Sequence, residues 1–332
     1  MNKIVISRTD SIGDVMLTLP MCVWLKNKYP DAQLVFLGSG YTKAVVACFS
    51  VIDEFIDWKE IEAMPTAQRA DIFKEWQADA IIHVFPNKEI ASLAKKAKIG
   101  MRIGTSHRSF HLLTCNHRLN FTRKNSAFHE AQLNFELLKP FGLKEIPSLE
   151  ELTSMLNAFH IPSIDLPSEI ENILSESSKS IILHPKSQGS AVEWPTEKYM
   201  ALATILADLG FTVFFTGTES EGSQFRQAIP ASKNIIDTTG QLSLHELIVL
   251  ISKVKNLVAC STGPLHIAGF AGIRAIGLFS PRKPIHPGRW SPIGTNVRTL
   301  VFDEKCEKCK KRKSCDCISS ISVEKVLAEI IS

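Results

Sequence analysis

Short apolar runs alternate with amphipathic stretches along this chain, and that alternation restricts the fold more than any other feature. The first run, "KIVIS" (Lys3–Ser7), is too short for a helix and carries no alternating polar face. A strand of that kind must be covered on both sides, as in a parallel sheet flanked by helices. Its pattern predicts a strand over residues 4–7, and similar runs predict strands over 34–37, 52–56, 80–84 and 101–103. Helical patterns separate them, for example over 21–28 after Pro20 and over 128–138.

The pattern fades from 146 to 179, a Ser/Pro-rich region containing "HIPSIDLPSE", and then resumes. Strands are expected over 181–183, 213–215, 234–236, 257–259 and 275–278, with helices over 196–209, 243–253 and 265–271. The expectation is an α/β chain of two doubly wound, parallel-sheet domains, 1–155 and 180–320, joined by a linker over 156–179 and facing a cleft. The length of 332 residues suits two such cores. A short amphipathic helix within 321–332 is expected to pack back on the first domain.

With 45% hydrophobic and 22% charged residues, the composition is that of a globular protein. No apolar run approaches the ~18 residues that a membrane span needs. The "IVI" near the N-terminus is followed at once by Arg8 and Asp10 and makes no secretory segment, so a cytoplasmic location is expected. The net charge of +4 is mild but unevenly spread: residues 88–124 hold nine Lys or Arg against one acid, Glu89. Such a stretch is either a solvated basic face or an attraction site for a polyanion: a phosphorylated glycolipid, an anionic membrane surface or nucleic acid.

Eight cysteines without secretory context argue against a disulfide framework. Cys22, Cys48, Cys115 and Cys260 lie among apolar residues and should pack as small hydrophobes. Cys306, Cys309, Cys315 and Cys317 are clustered in "CEKCKKRKSCDC". Four thiolates this close could complete a tetrahedral structural zinc site. The alternative is a set of free thiols in a basic loop.

The polar interruptions fall where strands end, and open parallel sheets bind ligands beyond those carboxyl ends. "TDSIGDVMLTLP" (residues 9–20) places Gly13 and Asp14 at the first strand-to-helix turn, four residues after Asp10. An aspartate there either caps its helix or serves as a general base. "LHPKSQGSAVEWP" (183–195) runs through Lys186, Ser187, Gly189 and Ser190 before Trp194-Pro195. It is either a phosphate-holding loop or an ordinary loop with Pro at the helix start. In "FTGTES" Gly217 turns the chain and Glu219 could accept ribose hydroxyls. "ACSTGPLHIAG" (259–269) ends a strand at Ser261-Thr262-Gly263 and opens a helix with Pro264 and His266 in its first turn. The unsatisfied N–H groups of such a turn suit a diphosphate.

No G-x-G-x-x-G follows the first strand, against a nicotinamide dehydrogenase. No Walker G-x-x-x-x-G-K-[ST] is present, and no D-x-D offers a divalent ion a carboxylate pair.

Together, "ISRTDSIGDVMLTLP", "HPKSQGSAVEWP" and "TTGQLSLHELIVLISKVKNLVACSTGPLHIAGFAG" resemble the lipopolysaccharide heptosyltransferase family, glycosyltransferase family 9, in that family's order and over nearly the full chain. The resemblance implies a GT-B architecture of two Rossmann-like domains, with the acceptor on the first and the nucleotide-sugar donor on the second. It implies an inverting, metal-independent transfer of a sugar, heptose by default, from an ADP-sugar to a lipopolysaccharide core or related glycan. No cofactor is expected beyond the donor substrate. Asp14 matches the family's catalytic base.

On the donor side, Lys186, Ser187, Thr262, Gly263 and His266 would meet the leaving diphosphate and Ser261 the donor sugar. Glu219, Thr239 and Gly240 would frame the nucleoside. Asp10, Arg102, Arg123 and Lys124 would serve an anionic glycolipid or oligosaccharide acceptor, with peripheral contact at the inner membrane face. Two positions depart from the family: the lysine two residues before Trp-Pro is Val192, and the aspartate before Thr-Gly is Ser261. Lys186 is expected to supply the charge missing at 192. The alternatives are a sugar-nucleotide epimerase of the same fold and a nucleic-acid-binding protein using the basic stretch. The latter is disfavoured because the stretch holds no recognisable nucleic-acid-binding motif.

Overall fold

In the computed structural model, which describes every residue except 124, 125, 312 and 314, the apolar runs become two parallel sheets. The first contains β1 (Lys3–Ser7), β2 (Gln33–Gly38), β3 (Glu54–Asp57), β4 (Ala80–His83), β5 (Met101–Thr105) and β6 (His117–Leu119) in the order β3-β2-β1-β4-β5-β6. The second contains β7 (Ser180–His184), β8 (Thr212–Phe215), β9 (Ile235–Asp237), β10 (Asn256–Cys260), β11 (Arg274–Leu278) and β12 (Val297–Leu300), ordered β12-β11-β10-β7-β8-β9. Counted from its own first strand, each sheet has the doubly wound order 3-2-1-4-5-6. The central strands β1 and β7 are buried almost throughout, as their uninterrupted apolar sequences require.

Two compact units meet in sequence at 160/161: Met1–His160 and Ile161–Ser332. The expected linker is not structureless. A 3-10 turn at Met155–Ala158 ends the first unit, and a helix at Ser168–Glu176, anchored by buried Ile170, lies near the start of the second. The helix expected over 128–138 runs only from Glu130 to Phe135 and then tightens to 3-10 geometry through Phe141, where Pro140 lacks the N–H that would continue it.

Unlike the opposite edges β3 and β9, the edge strands β6 and β12 were not anticipated. Both are short and carry exposed arginines, Arg118 and Arg298, which suit an edge but break the apolar run. The terminal helix Val323–Ile331 has its buried side within the second unit. Its Val326 and Ile330 join the second unit's own core beside Trp194 and Tyr199, so this apolar stripe is satisfied there. Trp194 Nε1 donates to the Ile321 carbonyl at 2.9 Å just before it. Cys22, Cys48, Cys115 and Cys260 are all buried, as expected of small apolar fillers.

At the end of β4, His83 is 1% exposed and neither ring nitrogen has a hydrogen-bond partner among the described residues. Burial, then the neighbouring His111 and Arg102, push its pKa down from 6.5 to about 3. The folded state therefore holds the ring neutral. The stability this contributes is complete above the unfolded pKa and is lost as pH falls from 6.5 towards 3, by up to ~1.4 kcal/mol per pH unit. Urea unfolding between pH 7 and 4.5 should show a shallower acid decline for His83→Leu than for the parent. Parallel declines would mean that His83 does not contribute to acid sensitivity.

Candidate active site

The turn after β1 is built around a buried cation. Arg8 is 3% exposed and follows the strand directly. Its Nε donates to Asp10 Oδ1 at 2.7 Å, its Nη2 to Asp14 Oδ1, and its Nη1 to Asn134 Oδ1 at 3.5 Å. Glu130 Oε1 lies 3.9 Å from the same Nη1 and is ion-paired with Arg123. A guanidinium can be buried only where such acceptors surround it. Asp10, Asp14 and Glu130 face two cations, Arg8 and Arg123, so this group carries a surplus of one negative charge. Burial, opposed by Arg8 and reinforced by Asp14, raises the Asp10 pKa above the usual carboxylate range.

Asp14 is not the N-cap of its helix, Ile12–Met16; Ser11 holds that position. The Asp14 carboxylate is held by the side chains of Arg8 and Ser11, the latter donating at 2.5 Å, and remains 22% exposed. The capping alternative does not describe those contacts. Arg123 belongs to this cluster and also donates to Asn134 Oδ1 at 3.1 Å. Arg102 is committed elsewhere, its guanidinium donating to the carbonyls of Ile99 and Thr114. Lys124 lies outside the described residues.

In the second unit, the loop after β7 is organised by Glu193, a residue not singled out from the sequence. It accepts from Lys186 Nζ at 2.7 Å and from both the N–H and hydroxyl of Ser187 at 2.8 and 2.9 Å. Burial works to raise the Glu193 pKa, but these donors outweigh it and hold the group below the usual range. Lys186 thus has its charge matched seven residues away. A cavity of about 380 Å³ opens beside the loop, lined by 189–192 and by Arg282, Lys283, Pro284 and Ile285 after β11. Those two loops follow strands that flank β10, so the turn after β10 lies between them in strand order.

That turn presents Ser261, then Thr262 as N-cap and Gly263 as the first residue of the helix Gly263–Phe270. Thr262 is 5% exposed, and its Oγ1 has no hydrogen-bond partner among the described residues. His266 is buried in the same first turn. The turns after β8 and β9 are joined by Arg226, also unanticipated. It binds both Glu219 oxygens at 2.7 Å, Asp237 Oδ2 at 2.7 Å and Thr239 Oγ1 at 2.9 Å. Gly240 completes this turn at φ +74°, with Glu219 where a Cβ would project, so glycine alone fits. Glu219, Thr239 and Gly240 are therefore brought together, but through an arginine.

The fold is GT-B. A family 9 glycosyltransferase from Veillonella parvula superposes with a TM-score of 0.79 at 21% identity, covering 99% of this chain and 97% of its own. The ADP-heptose lipopolysaccharide heptosyltransferase II of E. coli gives 0.76 at 18%, covering 100% and 98%. Residues 67–318 match glycosyltransferase family 9 (heptosyltransferase), and the chain belongs to that family. A Haemophilus influenzae protein provisionally named a glycosyltransferase is 28% identical over 99% of this chain and 96% of its own length. The protein is accordingly a glycosyltransferase, which sets aside the epimerase and nucleic-acid alternatives.

Glu193→Ala leaves Lys186 and Ser187 without their acceptor. It should destabilise the protein by about 1.5–3 kcal/mol, the range for hydrogen bonds to a charged group. Denaturant midpoints at constant m-value measure this. A loss under ~0.5 kcal/mol would mean that the loop is organised without Glu193.

Proposed function

We propose that this glycosyltransferase moves a sugar, heptose by default, from an ADP-sugar to the lipopolysaccharide core or a related glycan, inverting the anomeric centre. The observation that carries the proposal is the partly exposed Asp14 carboxylate, aimed by buried Arg8 at the carboxyl end of the central strand. The acceptor hydroxyl oxygen attacks the anomeric carbon while its proton passes to Asp14. The bond from that carbon to the phosphate oxygen breaks, and ADP leaves with the electron pair. Arg8 holds the carboxylate's direction, and Asp10 anchors the other side of the guanidinium.

For the donor, the N-terminus of the helix Gly263–Phe270 and the Thr262 hydroxyl, without a partner among the described residues, offer donors to the diphosphate. Val192 lines the cavity, and Arg282 and Lys283 bring to that same cavity the positive charge which the family's lysine would supply at position 192. Lys186, matched by Glu193, shapes the loop. These dipoles and cations meet the charge that develops on the leaving group, and no metal ion is required. The kinship with an ADP-heptose transferase supports an adenine donor.

Among the described residues no helix is long and apolar enough to cross a membrane. Leu112 and Leu113, 54% and 74% exposed within the basic stretch, suit peripheral contact with an anionic lipid face in the cytoplasm.

Asp14→Asn should lower turnover by about 10²–10⁴-fold with ADP affinity nearly intact, and the parent rate should be unchanged by brief EDTA treatment. A smaller loss for Asp14→Asn than for Asp10→Asn would transfer the base role to Asp10; loss of rate in EDTA would require a catalytic ion.

Lys283→Ala should weaken ADP binding by about 1.5–3 kcal/mol and AMP binding less, because only ADP carries the second phosphate. Calorimetric titration of both nucleotides decides this. Equal losses would place Lys283 near the nucleoside and undo its substitution for the lysine absent at 192.

A further inference from the structure

The cysteines at 306, 309, 315 and 317 take no part in the transfer proposed above, yet their four sulfur atoms all lie within 4.8 Å of one another. In a tetrahedral zinc thiolate, bonds of ~2.3 Å place the sulfurs about 3.8 Å apart. The Cys309–Cys317 separation is 3.8 Å. Cys309 and Cys315 are 2.8 Å apart, shorter than such an edge and well beyond the ~2.05 Å of a disulfide. Two disulfides need only two short separations; here all four sulfurs converge on one point.

The local chain offers little else to hold it. Among the described residues between β12 and the terminal helix, the only regular element is the four-residue helix Glu307–Lys310, with Cys306 as its N-cap. Cys309 and Cys317 are buried, while Cys306 and Cys315 are half-buried. We propose that these four cysteines bind one zinc ion as a closed tetrathiolate. Each thiol gives up its proton as its Zn–S bond forms, so four protons are released. The product carries two formal negative charges, which Lys305, Lys308, Lys310, Lys311 and Lys313 surround in the sequence.

A contact outside the quartet suits the thiolate form and gives it a use. Ser280 Oγ lies 3.5 Å from Cys309 Sγ and accepts the Arg282 N–H at 3.3 Å. Either atom can donate in that contact, and with a metal-bound thiolate at Cys309 the Ser280 hydroxyl becomes the donor, as neighbouring donors do at metal-bound ligands. Ser280 and Arg282 belong to the loop after β11 that lines the cavity. On the other side, the Ser319 and Ile321 carbonyls receive Lys198 Nζ, with the latter bond at 2.9 Å. The zinc knot therefore pins the 280–285 loop to the body of the second unit.

The test uses the full chain, purified under reducing conditions without chelator. Elemental analysis should find about one zinc per chain, and a mercurial should release it while consuming four thiols. Cys306→Ser should fall to a small fraction of an equivalent while keeping the parent circular dichroism. In that variant, hydrogen exchange of the 280–285 amides should quicken. If the serine variant does not fold, cobalt(II) loaded into the parent should instead give the visible absorption of tetrahedral thiolate coordination. Four freely reactive thiols with no metal, or a disulfide among the four, overturns the proposal. A full equivalent of iron overturns the assignment to zinc. None of these readouts involves sugar transfer, so this proposal and the transferase mechanism fail separately.

Discussion

A parallel strand covered on both faces can place polar atoms only at its ends, and the chemistry of this chain follows from that restriction. Ser7 and Arg8 end β1, Cys260 and Ser261 end β10, and Ser280 follows β11. A charged group that leaves a buried strand there must find partners at once, whereas the neutral Ser7 hydroxyl and His83 ring stay without one among the described residues. Arg8 shows how demanding this is. Its guanidinium recruits Asp10 and Asp14 from its own turn, and Asn134 and Glu130 from a helix more than a hundred residues away. Removing one carboxylate would leave the others sharing a differently balanced site, so these residues act as a unit and their substitutions should not add.

The strands with unbroken apolar runs could be read from the sequence because burial on both faces leaves an uninterrupted signature. Of the four edges, β3 and β9 kept apolar runs and were legible, but β6 and β12 were not, because Arg118 and Arg298 interrupt their short runs and make them resemble loops. Asp14 was legible as a carboxylate at a turn, but Glu130 and Asn134 were not: no local pattern marks a partner that arrives through the fold. Lys186 illustrates the converse. As a cation before a helix it read as a phosphate ligand, and the structure adds a partner that the sequence did not mark, Glu193 in the same loop. Charges can be counted along a chain, but how they pair is decided by backbone turns such as the one ending at Gly240. Arg282 and Lys283 gave no signal because they stand in a proline-punctuated loop without glycine or a hydroxyl pattern to set them apart.

The two carboxylates of the first turn differ in their partners rather than in their exposure. The side chains of Asp10 and Asp14 are 21% and 22% exposed; desolvation raises the proton affinity of Asp10, while Asp14 shares the guanidinium with a serine hydroxyl. What sets Asp14 apart is therefore its partners, the Arg8 guanidinium and the Ser11 hydroxyl, and not its reach.

The terminal helix has a consequence for how the chain is made. Synthesis runs from the N-terminus, and the first unit has every strand of its sheet once His160 has left the ribosome. The second cannot close its core in the same way: Val326 and Ile330 cover the apolar cluster around Trp194 and Tyr199. At about 5–20 residues per second, the apolar surface around that indole waits many seconds for its cover. During translation the second half is the part exposed to chaperones and proteases, while the half bearing Asp14 is already assembled.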